Sequence, residues 1–180
     1  RSSIPNPQSP IPNPQSPMKL KLKLKKAGFT VLDAPANKLV NAVAAFFKEK
    51  NIIKLPKYSA MVKCSKANDC EPICPDYFYY KAAAICRKLY VTKSKNIGVG
   101  SLRSMFSKKQ RRGSQPPRTF KAGGKIIRDI VIQLKAAKYV DNFGAKDNKE
   151  DENSNNNFGL FLTKTGRSEL DKIASGLLKK

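Results

Sequence analysis

Apolar residues recur at intervals of three and four positions along residues 37–50, which is the spacing of an amphipathic helix. The inward face of this helix is formed by Leu39, Val43, Phe46 and Phe47. Asp33 and Pro35 precede the periodic stretch as helix start signals, and Asn51 follows it as a stop signal. The pattern therefore predicts a first helix over residues 37–50.

The stretch after Asp76 repeats the helical pattern in the sequence FYYKAAAICRKLYV. One face carries apolar or small side chains, namely Phe78, Ala82, Cys86 and Leu89. Arg87 lies about half a turn from the centre of that face, so we expect its side chain to point toward solvent. Tyr77, Phe78, Tyr79 and Tyr80 could stack on unpaired bases, although packing within the core is the stronger interpretation.

The second half of the chain alternates helix and strand patterns. A third helix is predicted from Gly124 to Lys138, and Gly159 to Leu162 indicates a returning strand. Thr163 or Thr165 then provides the cap of a last helix. Helix, strand, loop, strand and helix is the order that ends a winged-helix unit. The predicted fold class is mainly α, a winged-helix-like helical bundle with a small β-hairpin wing.

Three segments of low complexity surround and interrupt this pattern. Residues 1–17 hold 6 of the 12 prolines and repeat IPNPQSP, which predicts a disordered Pro-rich leader or tail. Residues 18–28 alternate Lys and Leu from Met18 onward, as expected of a basic N-terminal arm. Residues 144–157 are rich in Asn and acidic residues and predict a disordered loop. Residues 29–180 are then expected to form a single winged-helix-like domain.

The composition excludes most hydrolase classes. The chain contains no His, so a Ser-His-Asp triad, a Cys-His pair and a His-ligated zinc site are all absent. The four cysteines Cys64, Cys70, Cys74 and Cys86 match no paired zinc spacing. No apolar run approaches the roughly 18 residues of a membrane helix. We expect no enzyme activity, no cofactor or metal, no small-molecule substrate and no membrane partner.

The charge distribution points to a polyanionic partner. The formal net charge is +23, and residues 77–128 carry 14 Lys and Arg without one Asp or Glu. Such a run repels itself unless phosphates neutralise it, which favours binding to RNA through phosphate contacts and shape. The predicted RNA-binding residues are Lys81, Arg87, Lys88, Gly98, Gly100, Ser101, Arg103, Lys108, Lys109, Gln110, Arg111, Arg112, Arg118 and Lys121. Segments 97–101 and 108–113 are expected to be flexible, Gly-containing loops that approach phosphates closely.

Four ordered stretches resemble the eukaryotic and archaeal family of small-subunit ribosomal protein S nineteen. They are LVNAVAAFFKEKNIIKLP (39–56), DYFYYKAAAICRKLYV (76–91), GVGSLRSMF (98–106) and FLTKTGRSELDKIA (161–174), and the resemblance covers about residues 29–178. The resemblance implies a location in the head of the small (40S) ribosomal subunit, with small-subunit (18S) rRNA and other head proteins as partners. It also implies a role in pre-rRNA processing and subunit maturation, and a cytoplasmic ribosomal location with nucleolar passage during assembly.

The family's motifs carry over to particular positions. Its basic central helix corresponds to Lys81 and Arg87, and its Gly-rich basic loop to segments 98–101 and 109–111. The sequence departs from the family pattern at Tyr77, where Trp is common, and has extra residues around 70–75 and a longer acidic wing loop.

The main alternative is a winged-helix DNA-binding transcription regulator, in which the helix at 124–138 enters a major groove. Outside its expected core face that helix offers Ile126, Asp129, Ile132, Gln133 and Ala136. Only Lys125 and Arg128 are useful donors there, and the wing tip is acidic, so this alternative is disfavoured. A protein-interaction adaptor that uses its Pro-rich tail would leave the basic run without a role.

Overall fold

The computed structural model describes residues 29–92, 97–142 and 159–178. The disordered leader, the basic arm and the acidic loop predicted for residues 1–17, 18–28 and 144–157 lie outside these ranges. The described helices are α1 (Ala36–Glu49), α2 (Tyr77–Val91), α3 (Val99–Met105), α4 (Gly124–Ala136) and α5 (Lys164–Leu178), with a 3-10 turn at Lys57–Ala60. The strands are β1 (Lys108–Arg112), β2 (Gln115–Phe120), β3 (Val140–Asn142) and β4 (Leu160–Leu162).

Helix α1 forms where its periodicity predicts it, one residue earlier at each end. Leu39, Val43 and Phe47 are buried, and Phe46 is half-buried at the margin of the core. The helix ends at Glu49, and Asn51, which follows its C-cap Lys50, has a φ of 51° in the left-handed region. Asn51 and Ile52 donate their N–H groups to the carbonyls of Lys48 and Phe47, which closes the helix with the 5→2 and 6→1 bonds of a Schellman motif.

The start of α1 differs from the prediction. Pro35 is the residue that precedes the first turn, and it makes no side-chain capping bond. Asp33 instead accepts hydrogen bonds from the N–H and the hydroxyl of Thr30, at 2.8 and 2.9 Å. Asp33 therefore stabilises the turn that leads into α1 and does not cap the helix itself.

The predicted face of α2 forms the centre of the core. Phe78, Ala82, Cys86 and Leu89 are all buried, as their spacing predicts. Helix α2 packs along α1 and also contacts α4 and strand β4. Burial in this apolar core raises the pKa of the Cys86 thiol to about 12, so Cys86 acts as a small apolar residue.

The wing follows α4 as predicted. Lys138 adopts a φ of 59° after the end of α4, and the chain then enters β3, which pairs antiparallel with β4. The hydroxyl of Thr163 accepts the N–H of Gly166 at 3.1 Å, so Thr163 caps α5. Gly166 lies so close to strand β3 that a Cβ there would be 2.8 Å from the carbonyl oxygen of Tyr139. The mainly helical, winged-helix-like fold class is confirmed.

Three tyrosine hydroxyls donate to carboxylates and connect separate elements. Tyr90 of α2 donates to Asp171 of α5 at 2.8 Å, and Asp171 also accepts the N–H of Val31. Tyr139 bonds Glu169 of α5 in the same way, and Tyr58 of the 3-10 turn bonds Asp129 of α4. Desolvation by burial, together with these bonds, raises the pKa values of all three tyrosines.

Two sequence expectations are wrong in this part of the chain. Segments 97–101 and 108–113 are not flexible loops, because Val99–Met105 forms α3 and Lys108–Arg112 forms β1. Ile126 was expected outside the core face of α4, but it is 2% exposed and packs in the core. The start of α4 is covered by segment 64–65, where Gly123 donates its N–H to the carbonyl of Cys64 at 2.8 Å.

Candidate nucleic-acid interface

The most exposed part of the described chain is the β1–β2 hairpin. Every strand residue is exposed except Gln110 and Phe120, which are half-buried. Neither strand contains Asp or Glu, whereas the hairpin carries five cationic side chains, Lys108, Lys109, Arg111, Arg112 and Arg118. The structure therefore gathers five of the predicted RNA-binding cations on one projecting ribbon.

The turn of the hairpin depends on a single glycine. Arg112 pairs with Gln115, which leaves Gly113 and Ser114 as a two-residue loop. Gly113 has a φ of 64° at the first loop position, where type II′ hairpin turns favour glycine. The Gly-Ser pair is a sequence signal for a hairpin turn. The flanking strands lack an alternation of apolar residues, so the sequence did not predict the hairpin.

One face of the hairpin is braced by segment 65–69. The Lys108 ammonium donates to the side-chain oxygen of Asn68 at 2.9 Å, and the Gln110 amide donates to Asp69 at 3.4 Å. On the same face the Lys66 ammonium lies 5.5 Å from the centroid of the Phe120 ring. Lys108 and Gln110 are thus partly engaged by the protein itself.

The remaining cations of β1 have no such partners. Side chains alternate between the two faces of a strand, so Lys109 points away from the brace formed by segment 65–69. Within the described ranges, Lys109, Arg111 and Arg112 make no side-chain hydrogen bond or ion pair, and all three are exposed. Three unneutralised cations on one short ribbon are suited to contact with a phosphate backbone.

Arg103 closes the base of the hairpin. Its Nε donates to the carbonyl oxygen of Ala122 at 3.0 Å, and its guanidinium packs over Gly124 at the start of α4. The carbonyl of Arg103 in turn accepts the N–H of Ala122 at 3.1 Å. Arg103 therefore has a structural role in joining α3 to α4, although the residue remains exposed.

The other predicted residues near the hairpin base differ in exposure. Gly98 precedes α3 and is half-buried, whereas Gly100, Ser101 and Lys121 are exposed. A Cβ added at Gly100 would meet no atom within 4 Å, so the fold itself does not require glycine there. Ser101 and Lys121 remain accessible to a ligand that contacts the hairpin.

Lys81 lies nearby but is turned inward. Its ammonium is 3.9 Å from the centroid of the Phe106 ring, a cation–π contact that joins α2 to the end of α3. Burial lowers the pKa of Lys81, and the adjacent Cys64 acts in the opposite direction. The Lys81 ammonium therefore packs against the protein and is not fully open to solvent.

Arg87 and Lys88 form a second, separate basic group on α2. Six residues separate Lys81 from Arg87, which places their side chains about 9 Å apart along the axis and about 120° apart around it. The expectation that Arg87 faces outward is only partly correct. Arg87 is half-buried between α2 and α1, and its Nε is buried without a hydrogen-bond partner, whereas Lys88 is exposed.

Sequence reasoning missed the segment that braces the hairpin. Lys66 is exposed beside Phe120, but it precedes the acid-free run that defined the predicted site. Lys66 is followed closely by Asp69 and Glu71, so it carries no distinctive pattern in the sequence. Only the pairing of β1 with β2 places Lys66 at this surface.

The described residues show no metal site, disulfide or membrane-spanning helix. Among them, no group of three or more Cys, Asp or Glu side chains is arranged to hold a metal ion. The four cysteines are free thiols. No helix within the described ranges is both long and apolar enough to cross a membrane.

These features define a small, strongly basic, winged-helix-like protein whose cationic hairpin presents a surface suited to nucleic acid. Residues 30–180 match the model of the ribosomal protein S19e family. Small ribosomal subunit protein eS19 of Argopecten irradians is 31% identical over 85% of this chain and 96% of its own length. The eS19 of Oryza sativa subsp. japonica is 33% identical over 81% of this chain and 90% of its own. The chain belongs to the ribosomal protein S19e family, which confirms the resemblance.

Proposed function

We propose that this protein is a structural constituent of the small (40S) ribosomal subunit, where it binds small-subunit (18S) rRNA in the head beside other head proteins. It supports pre-rRNA processing and subunit maturation, passes through the nucleolus during assembly and then resides on cytoplasmic ribosomes. It acts by binding and has no enzymatic role. The names of its relatives, which are small ribosomal subunit proteins, support the subunit assignment.

The observation that carries the RNA-binding proposal is the group of unneutralised cations on β1. Lys109, Arg111 and Arg112 are exposed and unpaired within the described chain, and no carboxylate lies in either strand to compete with phosphate. Single Lys and Arg side chains hold a phosphate backbone in position without reading sequence. Selectivity for one rRNA site then comes from the shape and position of the hairpin on the helical body.

The DNA-binding alternative has less support. Its recognition helix would be α4, but Lys125 on that helix is paired with Asp129 at 3.8 Å. Asp129 is also bonded by Tyr58, so the carboxylate is held at this surface where it would repel DNA phosphates. Among the described residues, the hairpin that precedes α4 carries three exposed, unpaired cations, whereas the exposed cation left unpaired on α4 is Arg128.

The proposal is tested by fractionating cell lysates on sucrose gradients at low salt and after a high-salt wash. We expect the wild-type chain to co-migrate with small subunits and to survive the wash. The double variant Lys109→Gln/Arg111→Gln should fold normally and incorporate poorly. The matched control Lys164→Gln/Lys172→Gln removes the same charge from exposed positions of α5 and should behave as wild type. Depletion of the protein should cause small-subunit rRNA precursors to accumulate.

Purified components give a second measurement. RNA affinity should fall about a thousandfold or more between about 50 and 200 mM salt if six to ten phosphates are contacted. The Lys109→Gln/Arg111→Gln variant should lower the slope of log affinity against log salt by about 2. A salt response unchanged by this variant, together with normal incorporation into subunits, would show that the hairpin does not bind the RNA backbone.

A further inference from the structure

An open pocket lies between the first turns of α1 and the second half of α2, away from the hairpin. Its volume is about 540 Å³. Ala36, Val40 and Ala84 form its apolar floor, and the space exists because two of these three side chains are single methyl groups. Polar side chains from both helices surround that floor.

Arg87, on the rim of the pocket, has incomplete hydrogen bonding. Its Nε is buried without a hydrogen-bond partner, although buried nitrogen donors are nearly always paired in folded proteins. An unpaired buried donor on a charged group is costly, and that cost is relieved when a ligand supplies an acceptor. Arg87 lines the open pocket and is half-buried. Because Nε itself is buried, the side chain must shift for that atom to meet an acceptor that enters from solvent.

Three further polar side chains line the same pocket, namely Asn37, Asn41 and Lys88, and all are exposed. Within the described chain none of them makes a side-chain hydrogen bond or an ion pair. No Asp or Glu lines the pocket. The rim therefore offers two cations and two amides, each with its hydrogen-bonding groups available.

The start of α1 adds to the positive potential here. The helix begins at Ala36 without a side-chain cap, and its first turn contains no acidic residue. The first backbone N–H groups of a helix lack partners inside the helix and favour a negative charge nearby. Ala36 and Asn37 bring this end of α1 to the edge of the pocket beside Arg87.

We propose that this pocket receives one unpaired nucleotide of the bound RNA, with its phosphate on Arg87 and Lys88 and its base edge against Asn37 and Asn41. A lone phosphate would use the cations but not the apolar floor, whereas a base or sugar packs on Ala36, Val40 and Ala84. Amide side chains can both donate to and accept from a base edge. The inference rests on the proposed RNA binding and adds to it a site for a nucleotide that lies outside a duplex.

The test is an NMR titration of the full chain with each of the four nucleoside 5′-monophosphates, with ribose 5-phosphate as the comparison ligand. We follow the Nε–H signal of Arg87 and the side-chain amide signals of Asn37 and Asn41. At least one nucleotide should give saturable shifts at these signals, with a Kd about tenfold below that of ribose 5-phosphate because its base adds contacts.

Variants separate a shaped pocket from general surface charge. Ala84→Met fills the floor without changing the charge and should abolish the saturable shifts, and Asn41→Ala should weaken nucleotide binding while leaving the Kd of ribose 5-phosphate unchanged. The control Lys109→Gln removes a hairpin charge and should leave pocket binding intact. Equal affinities for ribose 5-phosphate and every nucleotide, or shifts that persist in Ala84→Met, would overturn the inference.

The outcomes distinguish this inference from the proposed function. If the chain co-migrates with small subunits but shows no nucleotide shift at Arg87, the proposed function stands and the nucleotide pocket is excluded. If the chain shows the shift but sediments free of subunits, the nucleotide pocket stands and the ribosomal role is excluded.

Discussion

The two hairpins of the described chain have the same antiparallel pairing and opposite environments. Strands β3 and β4 are only three residues long, yet Val140, Leu160 and Leu162 are each between 2% and 4% exposed. Strands β1 and β2 are longer, and nearly all of their side chains are exposed. The shorter hairpin is held by the apolar core, and the longer one is held by its turn, its base and segment 65–69.

This contrast explains how one small fold can combine a stable core with an exposed basic surface. An isolated two-stranded hairpin is marginally stable in water, so β1–β2 can adjust its shape at little cost. Its charges are spaced along a surface that the core does not constrain. The β3–β4 hairpin has no such freedom, because any movement would uncover buried apolar side chains.

Removing core contacts from β4 should have the largest effect. Leu162→Ala deletes a buried side chain of the wing, and we expect it to lower the free energy of unfolding by about 2–5 kcal/mol. The matched change on the exposed hairpin, Thr119→Ala in β2, should cost about 0.5 kcal/mol or less. Urea denaturation followed by circular dichroism measures both. Equal losses for the two variants would contradict the assignment of stability to the wing.

Straining the turn of β1–β2 should have a smaller, local effect. Gly113→Val places a β-branched residue at a φ of 64°, which should destabilise the hairpin by about 1–2 kcal/mol. Amide hydrogen exchange should then accelerate in β1 and β2, and RNA affinity should fall, while protection in α2 and α4 is unchanged.

The neighbouring Ser114→Val is the control for this turn. It introduces the same side chain at the loop position that lacks a positive φ, so it should leave exchange in the hairpin close to the wild-type rate. Faster exchange in α2 or α4 of the Gly113 variant would mean that the hairpin is coupled to the core more tightly than its contacts indicate.

The smallest expected effect is a loss of stability at alkaline pH that comes from Tyr90, which joins α2 to α5. Burial and the bond to Asp171 raise the pKa of Tyr90 to about 12 from an ordinary value of 10.0. The folded chain keeps this hydroxyl protonated where the unfolded chain ionises, so its contribution is complete below pH 10 and is lost as pH rises toward 12. Thermal melting of Tyr90→Phe should show a shallower decline above pH 9 than wild type, and an identical decline would exclude this origin.

The sequence predicted four helices well and the exposed hairpin poorly, for one physical reason. Helices α1, α2, α4 and α5 each bury a stripe of apolar residues, and that stripe imposes a helical period on the sequence. The KKQRR of β1 and the QPPRTF of β2 bury almost nothing, so no period of two marks them. Two consecutive prolines in β2 also argue against a strand unless it lies at an edge, as both strands of a two-stranded sheet do.

The sequence by itself determined the fold class, the family and the acid-free basic run, since periodicity, ordered motifs and charge order are properties of residue order. The tertiary structure alone decided which cations of the basic run are free of partners within the described residues. It turns Lys81 onto Phe106, commits Arg103 to the base of the hairpin and leaves Lys109 unpaired. It also buries the Arg87 Nε at a pocket built from two helices that lie far apart in sequence. A charge is visible in a sequence, but its neighbours are fixed only when distant segments pack together.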